Sequence, residues 1–240
     1  MNSFGSLKAR DPLAVRAMDP RFAGIDCWIF DLDNSLYPAS CDLFALIDER
    51  MGLYVQRLVG CDPDEARRVQ KAHFNGHGTT LAGLMAEHAV DPHEFLGFVH
   101  DIDLGRLTAD PDMPALLARL PGRRLVFTNG DAQYAARVLD ALGLGGSFDG
   151  VHDIHATSYV PKPKPDAYRS LCDRFAIDPT RALFVEDMAK NLAPAKAIGM
   201  TTVWVNNGSE QGGHGEDRGF VDHEIGDVAA WLRDLVGVDA

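Results

Sequence analysis

The sequence predicts an α/β protein in which a doubly wound, mostly parallel sheet carries a small all-helical unit after its first strand. Three observations lead to this fold class. The run 25–30 is short, apolar and rich in β-branched and aromatic residues, as buried strands are. Residues 42–106 repeat apolar side chains at helical spacing. From residue 110 onwards, strand-like runs alternate with helical segments, which is the order that produces parallel sheets.

The composition is typical of an acidic globular protein. The 240 residues carry a formal net charge of −12 and are 46% hydrophobic, which is enough for a substantial core. The acidic excess disfavours nucleic acid or an anionic membrane surface as a main partner. The four cysteines are widely spaced and indicate neither a zinc site nor a disulfide framework. We therefore expect a cytoplasmic protein, and no stretch approaches the roughly 18 apolar residues of a membrane-spanning helix.

The chain divides into three predicted parts. Residues 1–22 mix Gly, Pro and charged residues, and we predict a loose extension there with at most a short helix at 12–18. Residues 23–38 and 108–240 are predicted to form the α/β core. Residues 39–107 are predicted to form the helical unit. A helical block directly after a catalytic-looking strand indicates a lid over that strand's end.

Start and stop signals divide the helical unit into four helices. The first is predicted to follow Asp42. The dipeptides Asp62-Pro63 and Asp91-Pro92 each combine an N-cap residue with a first-turn proline, and so predict the second and fourth helices. Between them, Asn75-Gly76-His77-Gly78 is predicted to end the second helix, and Thr79 or Thr80 to cap the third.

The second half of the chain supplies the remaining elements. We predict strands at 123–127, 148–154, 182–185 and 201–205, and helices at 113–120, 132–142, 166–175, 192–198 and 228–235. The run Pro161-Lys162-Pro163-Lys164-Pro165 must be extended and irregular, because proline lacks the donor and the freedom that regular structure needs. Residues 206–219, rich in Gly and Asn, are predicted to be a mobile loop.

Two carboxylates end the first strand. Asp31 and Asp33 are two residues apart, so their side chains should project to the same side and into one crevice. Carboxylates that close repel each other unless a cation lies between them. Hard divalent cations prefer oxygen ligands, so Mg²⁺ is the expected cofactor.

Other strands end in residues of matching chemistry. Thr128, Asn129 and Gly130 follow the second strand, and Glu186 and Asp187 end the fourth. Ends of parallel strands meet at one sheet edge, so these groups should converge on Asp31. Carboxylates, a hydroxyl donor, a cation and a lysine together suit phosphoryl transfer, where positioning and charge stabilisation carry the catalysis.

These motifs resemble the haloacid dehalogenase superfamily of phosphohydrolases, whose α/β core is Rossmann-like. Four signatures stand in the expected order, namely Asp31-Leu32-Asp33-Asn34-Ser35, Thr128-Asn129, Lys164-Pro165, and Glu186-Asp187 with Asn191. A helical cap between the first two resembles the C1-capped subgroup. Five stretches are similar to the pyrimidine 5′-nucleotidase-like branch of the superfamily. They are D-L-D-N-S-L-Y-P at 31–38, F-N-G-H-G-T-T-L-A-G-L at 74–84, F-T-N-G-D at 127–131, K-P-D-A-Y at 164–168 and N-L-A-P-A-K-A-I-G-M at 191–200.

The resemblance implies a role for each matching residue. Asp31 would attack phosphorus, and Asp33 would protonate the leaving oxygen and then activate water. Mg²⁺ would be held by Asp31, the Asp33 carbonyl and Asp187. Thr128 would donate to the phosphoryl group with help from the Asn129 backbone. Lys164 would neutralise charge, and Glu186 and Asn191 would orient Lys164 and the metal's water ligands.

Several assignments have alternatives. Lys162 could take the role given to Lys164. We prefer Lys164, because Pro-Asp-x-x-Tyr follows it. Asn191 could simply lie at a helix N-terminus. His77, Thr79 and Thr80 form either a capping loop or a specificity loop over the substrate.

Two departures from the family pattern are Ser35, where Thr is usual, and Tyr134, where a His is common. Ser35 retains the hydroxyl of the usual Thr, and Tyr134 in place of the His affects the expected substrate preference. Four further histidines are expected on helix surfaces and not as metal ligands, namely His73, His88, His93 and His100.

The expected function is Mg²⁺-dependent hydrolysis of a small phosphorylated metabolite, with a pyrimidine nucleoside monophosphate as the preferred substrate and no nucleic-acid or membrane partner. A monomer or homodimer is expected. The alternatives are a phosphatase of pyridoxal phosphate, phosphoglycolate or a sugar phosphate, a haloacid dehalogenase, and a non-catalytic phosphoacceptor or binding protein.

Overall fold

The structure, a computed structural model, describes residues 18–209 and 218–237. The described residues form a six-stranded sheet in which every pairing is parallel. The strands are β1 (Cys27–Phe30), β2 (Arg123–Phe127), β3 (Gly150–His152), β4 (Ala182–Glu186), β5 (Thr201–Val205) and β6 (His223–Ile225), in the order β3-β2-β1-β4-β5-β6. The predicted fold class is confirmed.

Helices occupy the positions that the sequence pattern predicts. Between β1 and β2 lie α1 (Leu43–Val59), α2 (Pro63–His77), α3 (Thr80–His88), α4 (Pro92–Val99) and α5 (Met113–Ala118). The later helices are α6 (Ala132–Ala141), α7 (Pro165–Phe175), α8 (Ala189–Ala197) and α9 (Val228–Val236). We call residues 43–99, which hold α1 to α4, the helical insertion.

Both faces of the sheet are buried. In β1, Trp28 and Phe30 belong to one hydrophobic cluster, and Cys27 and Ile29 belong to the other. Side chains of α5, α6 and α9 lie in the first cluster, and those of α7 and α8 in the second. A parallel sheet covered by helices on both faces needs continuous apolar strands, which explains why β1 has no polar residue.

The insertion's helices begin at the predicted caps. The Asp62 side chain accepts a hydrogen bond from Glu65 N, and that of Asp91 accepts one from His93 N. Thr79, and not Thr80, caps α3 by accepting from Ala82 N. The apolar side chains of the insertion join the first cluster of the sheet, so the insertion and that face of the sheet share one core.

The structure departs from prediction at the end of the sheet. Strand β6 is short and only partly buried, and its pairing with β5 comes from tertiary contact that no local pattern signals. Strand β3 covers three residues of the predicted 148–154. The predicted helix at 12–18 lies almost wholly outside the described residues, as does 210–217 of the predicted mobile loop. Within the described part of the chain, no helix is both long and apolar enough to cross a membrane.

A tight approach between two backbones makes Gly122 essential at the start of β2. Its φ of 77° is unfavourable for other residues, and a Cβ there would overlap the carbonyl oxygen of Asp26. We expect Gly122→Ala to lower the free energy of unfolding by about 2 kcal/mol or more, measured by denaturant titration. Gly24→Ala is the control, since nothing lies within 4 Å of its Cβ position. Equal stability of the two variants would contradict this account.

Candidate active site

The centre of the sheet positions Asp31. It follows β1, which lies between β2 and β4, and its backbone N–H continues the parallel pairing by donating to the carbonyl oxygen of Val185 at 2.9 Å. The chain winds from β1 towards β2 on one side and later towards β4 on the other. Asp31 therefore lies at the topological switch point, where open α/β sheets bind ligands.

A buried lysine links Asp31 to β4. Lys162 Nζ donates to Asp31 Oδ1 at 2.7 Å, to Glu186 Oε2 at 2.7 Å and to the carbonyl oxygen of Phe127 at 2.9 Å. All three of its protons are thus used, as burial of an ammonium requires. The aromatic rings of Phe127 and Phe184 lie 5.1 and 5.3 Å from the same nitrogen.

Asp31, Glu186 and Lys162 shift one another's pKa values. Burial, and then the charge of Glu186, raises the pKa of Asp31 well above its usual value, although Lys162 opposes the shift. Burial likewise raises the pKa of Glu186 to about 7. Burial disfavours the charged form of Lys162, but the two carboxylates outweigh this and raise the pKa of the lysine. An ammonium between two carboxylates is the arrangement that the geometry favours.

The structure corrects the assignment of Lys164. That residue is exposed and occupies the N-cap position of α7, so its side chain does not enter the site. Lys162, two residues earlier, reaches Asp31 because the irregular proline-rich loop turns it inwards. Asn129 holds that loop through its side chain, which accepts from Lys162 N at 2.9 Å and donates to Lys162 O at 3.3 Å.

Two tyrosines hold Asp33. The hydroxyls of Tyr37 and Tyr134 donate to Asp33 Oδ1 at 2.6 and 2.8 Å. Tyr134 in turn stacks on the imidazole of His100 at 4.3 Å, and His100 Nδ1 lies 2.5 Å from Asp131 Oδ2. The sequence marks Tyr134 only as a departure from the family pattern, and it gives no signal that Tyr37 contacts Asp33. His100 is buried, contrary to the prediction of a surface position.

Thr128 and Gly130 form a turn beside Asp31. The Thr128 side chain is buried, and its Oγ accepts a hydrogen bond from Gly130 N at 2.9 Å. Because that oxygen is the acceptor, the hydroxyl proton of Thr128 remains to be donated to a ligand. Thr128, Asn129 and Gly130 all line the cavity that contains Asp31, so the predicted convergence of these strand ends is present.

Three carboxylates form an oxygen cluster that suits a divalent cation. Asp31, Glu186 and Asp187 can each place one oxygen so that all lie within 4.8 Å of one another, and all three are buried. Asn191 is also buried, and its Oδ1 has no hydrogen-bond partner. Burial raises the pKa of Asp187 to about 6, with the charge of Asp31 as the second cause. Lys162 compensates only part of the charge of these three buried carboxylates, so the cluster fits a hard cation such as Mg²⁺.

The helical insertion closes the site. A cavity of about 530 Å³ extends from Asp31 and Asp33 to side chains of α1, α2, α3 and α4. Thr79 and Thr80 line this cavity, as a specificity loop would, while Thr79 also caps α3. His77 is not among its lining residues. Its Nε2 lies 3.0 Å from Glu87 Oε1 instead, so the predicted contact of His77 with substrate is corrected.

A comparison of the sequence with protein families shows which family the chain belongs to. The family model described as haloacid dehalogenase-like hydrolase matches residues 25–199. The chain belongs to this family. The matched range contains Asp31, Asp33, Thr128, Lys162 and Asp187, so the family match and the converging side chains concern the same part of the fold.

Curated relatives match over part of their length. Phosphate metabolism protein 8 of Saccharomyces cerevisiae is 25% identical over 189 residues, which cover 72% of this chain and 59% of that protein. Enolase-phosphatase E1 of Shewanella frigidimarina is 30% identical over 129 residues, 51% of each protein. The chain thus spans between half and three fifths of the length of these two relatives.

Solved structures show the same fold. A haloacid dehalogenase-like phosphatase from Thermococcus onnurineus superposes with a TM-score of 0.61 and 21% identity over 90% of this chain and 99% of that one. The L-2-haloacid dehalogenase from Xanthobacter autotrophicus superposes with a TM-score of 0.53 and 19% identity over 90% and 100%. At such identities the superpositions establish the architecture alone.

Removal of the Lys162 ammonium should destabilise the folded protein. We expect Lys162→Met to lower the free energy of unfolding by about 3–5 kcal/mol at neutral pH, because two buried carboxylates lose their counter-charge. The loss should shrink as the pH falls, since Asp31 and Glu186 have raised pKa values and become neutral. Lys164→Met should change stability by less than about 0.5 kcal/mol. Denaturant titrations that rank the two variants in the opposite order would refute the assignment of Lys162.

Cation binding should depend on pH. Asp187 has a pKa of about 6 and the pKa of Asp31 is also raised, and both carboxylates must be ionised to bind a cation, so Mg²⁺ affinity should rise as the pH increases through about 6. Calorimetric titration should show a change of about tenfold per pH unit below it. Asp187→Asn should weaken binding at high pH and reduce the pH dependence of the affinity to the part that Asp31 contributes. The exposed Asp64→Asn is the control and should retain both the affinity and its pH dependence.

Proposed function

We propose that this chain is a Mg²⁺-dependent phosphomonoester hydrolase that works through an aspartyl-phosphate intermediate on Asp31. One observation carries the proposal. Asp31 is paired with a buried lysine, and Asp33, two residues on, is held by two tyrosines at the same cavity. A double displacement at phosphorus needs a nucleophile and a proton-transfer group that are held in fixed positions relative to each other.

The residues divide the reaction into two displacements. An Asp31 carboxylate oxygen attacks phosphorus, the bond from phosphorus to the leaving oxygen breaks, and Asp33 gives that oxygen its proton. Water then attacks phosphorus and loses a proton to Asp33, and the bond to Asp31 breaks to release phosphate. Both tyrosines donate to Asp33 Oδ1, so Oδ2 is the oxygen available to carry the proton.

Positive charge and hydrogen bonds support the transferred group. Lys162 stabilises negative charge beside Asp31, and the Thr128 hydroxyl is available to a phosphoryl oxygen. Asp31, Asp187 and the main chain at Asp33 are the groups that would hold Mg²⁺, with Asn191 and Glu186 around them. The cation supplies charge neutralisation at the phosphoryl oxygens when bound.

We further propose a nucleoside monophosphate, preferably a pyrimidine one, as the substrate. The cavity volume of about 530 Å³ lies in the range for a ligand of this size. The insertion contributes apolar walls from Phe44, Met51 and Phe95, together with one partly buried polar pair. In that pair Gln70 Nε2 donates to Asp48 Oδ1 at 2.5 Å, which leaves the amide oxygen of Gln70 as an acceptor for a base N–H.

Other phosphate esters remain the principal alternative. Relatives named phosphate metabolism protein and enolase-phosphatase support phosphate chemistry, and neither name specifies a nucleotide. A dehalogenase would share the nucleophile Asp31. The double hydrogen bond to Asp33 favours a phosphatase, because a leaving halide needs no proton.

The decisive experiment is phosphate release with Mg²⁺ from UMP, dTMP, CMP, AMP, pyridoxal phosphate, phosphoglycolate and an aryl phosphate. We expect turnover with preference for the pyrimidine nucleotides. Asp31→Asn should reduce turnover by about 10³-fold or more, whereas the exposed Asp64→Asn should leave it unchanged.

The other outcomes are equally informative. Turnover of the aryl phosphate without nucleotide preference would keep the phosphatase and remove the nucleotide assignment. Halide release from 2-haloacids in the absence of phosphatase activity would support a dehalogenase. A stable phosphoaspartate without turnover would support a phosphoacceptor.

A further inference from the structure

A second cluster of metal-ligating side chains lies in the helical insertion, away from the carboxylates of the active site. His73, Glu87 and His88 can each place one ligand atom so that all lie within 4.8 Å of one another. His77 Nε2 lies 3.0 Å from Glu87 Oε1, and His73 Nδ1 lies 3.6 Å from the same oxygen. Glu87 is thus shared by two imidazoles, with a third beside them.

The helices impose this arrangement. His73 and His77 are four residues apart on α2 and so lie on one face, a spacing with which helices bind zinc through two histidines. Glu87 and His88 belong to the last turn of α3, which packs against α2. The cluster therefore joins two helices across the turn that connects them.

His73 is unusual for a histidine without a defined role. Its side chain is only 5% exposed, and its Nε2 has no hydrogen-bond partner. A Cβ at Gly83 would overlap the His73 ring, so the absence of a side chain at Gly83 is what lets the imidazole lie against α3. Burial lowers the pKa of His73, although the charge of Glu87 opposes the shift.

We propose that His73, His77, Glu87 and His88 form a structural binding site for a divalent transition metal of the zinc class. Imidazole nitrogens with one carboxylate oxygen suit Zn²⁺, whereas Mg²⁺ prefers oxygen ligands only. Glu87 and His88 are exposed and His77 is partly exposed, so the site is open to solvent and these side chains are able to close around an ion.

The site has a consequence for the cavity. The turn between α2 and α3 contains Gly78 and Thr79, which line the cavity together with Thr80. A metal bound on both sides of that turn fixes the end of α2 relative to α3 and thereby holds this wall of the cavity in place. The ion contacts no group of the active site and takes no part in the reaction.

The test is a Zn²⁺ titration of the full, chelator-treated chain against a chromophoric chelator, with millimolar Mg²⁺ present to occupy the oxygen cluster. We expect about one Zn²⁺ per chain and a rise in the melting temperature. Glu87→Gln should weaken binding by about 10- to 100-fold, and the double variant His77→Gln/His88→Gln should weaken it further.

Two controls separate this site from other sources of zinc binding. Glu49→Gln makes the same chemical change at an exposed position of α1 and should bind as the wild type does. Asp187→Asn alters the active-site carboxylates and should leave this zinc in place. Binding that survives the double variant, or that disappears in Asp187→Asn, would overturn the proposal. The positions substituted in the helical insertion are at least partly exposed, whereas Asp187 is buried, and circular dichroism will verify that every variant is folded.

Discussion

The buried contact of Lys162 with Asp31 and Glu186 is the interaction on which the rest of the site depends. Two carboxylates that lie deep in the sheet need a counter-charge, and the lysine's three hydrogen bonds supply it. The same contact ties the proline-rich loop to β1, β2 and β4. It therefore acts both on stability, by compensating buried charge, and on chemistry, by aligning the carboxylate that we propose as nucleophile.

The order of the strands explains why these groups meet at all. Asp31, Thr128 and Asp187 are far apart in sequence, but β1, β2 and β4 are parallel neighbours whose carboxyl ends share one edge. Helices on both faces exclude water from that edge. The low exposure that follows raises the pKa values of Asp31, Glu186 and Asp187, and it makes the oxygen cluster receptive to a cation.

The helical insertion covers this edge of the sheet. Its side chains share a core with one face of the sheet, so the insertion is packed against the site and encloses the cavity. The turn between α2 and α3 contributes Thr79 and Thr80 to the wall, while His77 faces away towards Glu87. The proposed metal site would hold this turn through side chains that do not line the cavity, which links the stability of the insertion to the shape of the pocket.

The sequence by itself determined the fold class, the four helices of the insertion with their caps at Asp62, Thr79 and Asp91, and the strand ends that carry Asp31, Thr128 and Asp187. These features follow from local periodicity and capping, which depend on neighbours in the chain. Only the tertiary structure decided that Lys162 and not Lys164 enters the site, since both follow a proline and the Pro-Asp-x-x-Tyr after Lys164 does not determine which side chain turns inwards. It alone revealed the tyrosines on Asp33, the buried His73 and the edge strand β6, because each of these depends on contacts between residues distant in sequence.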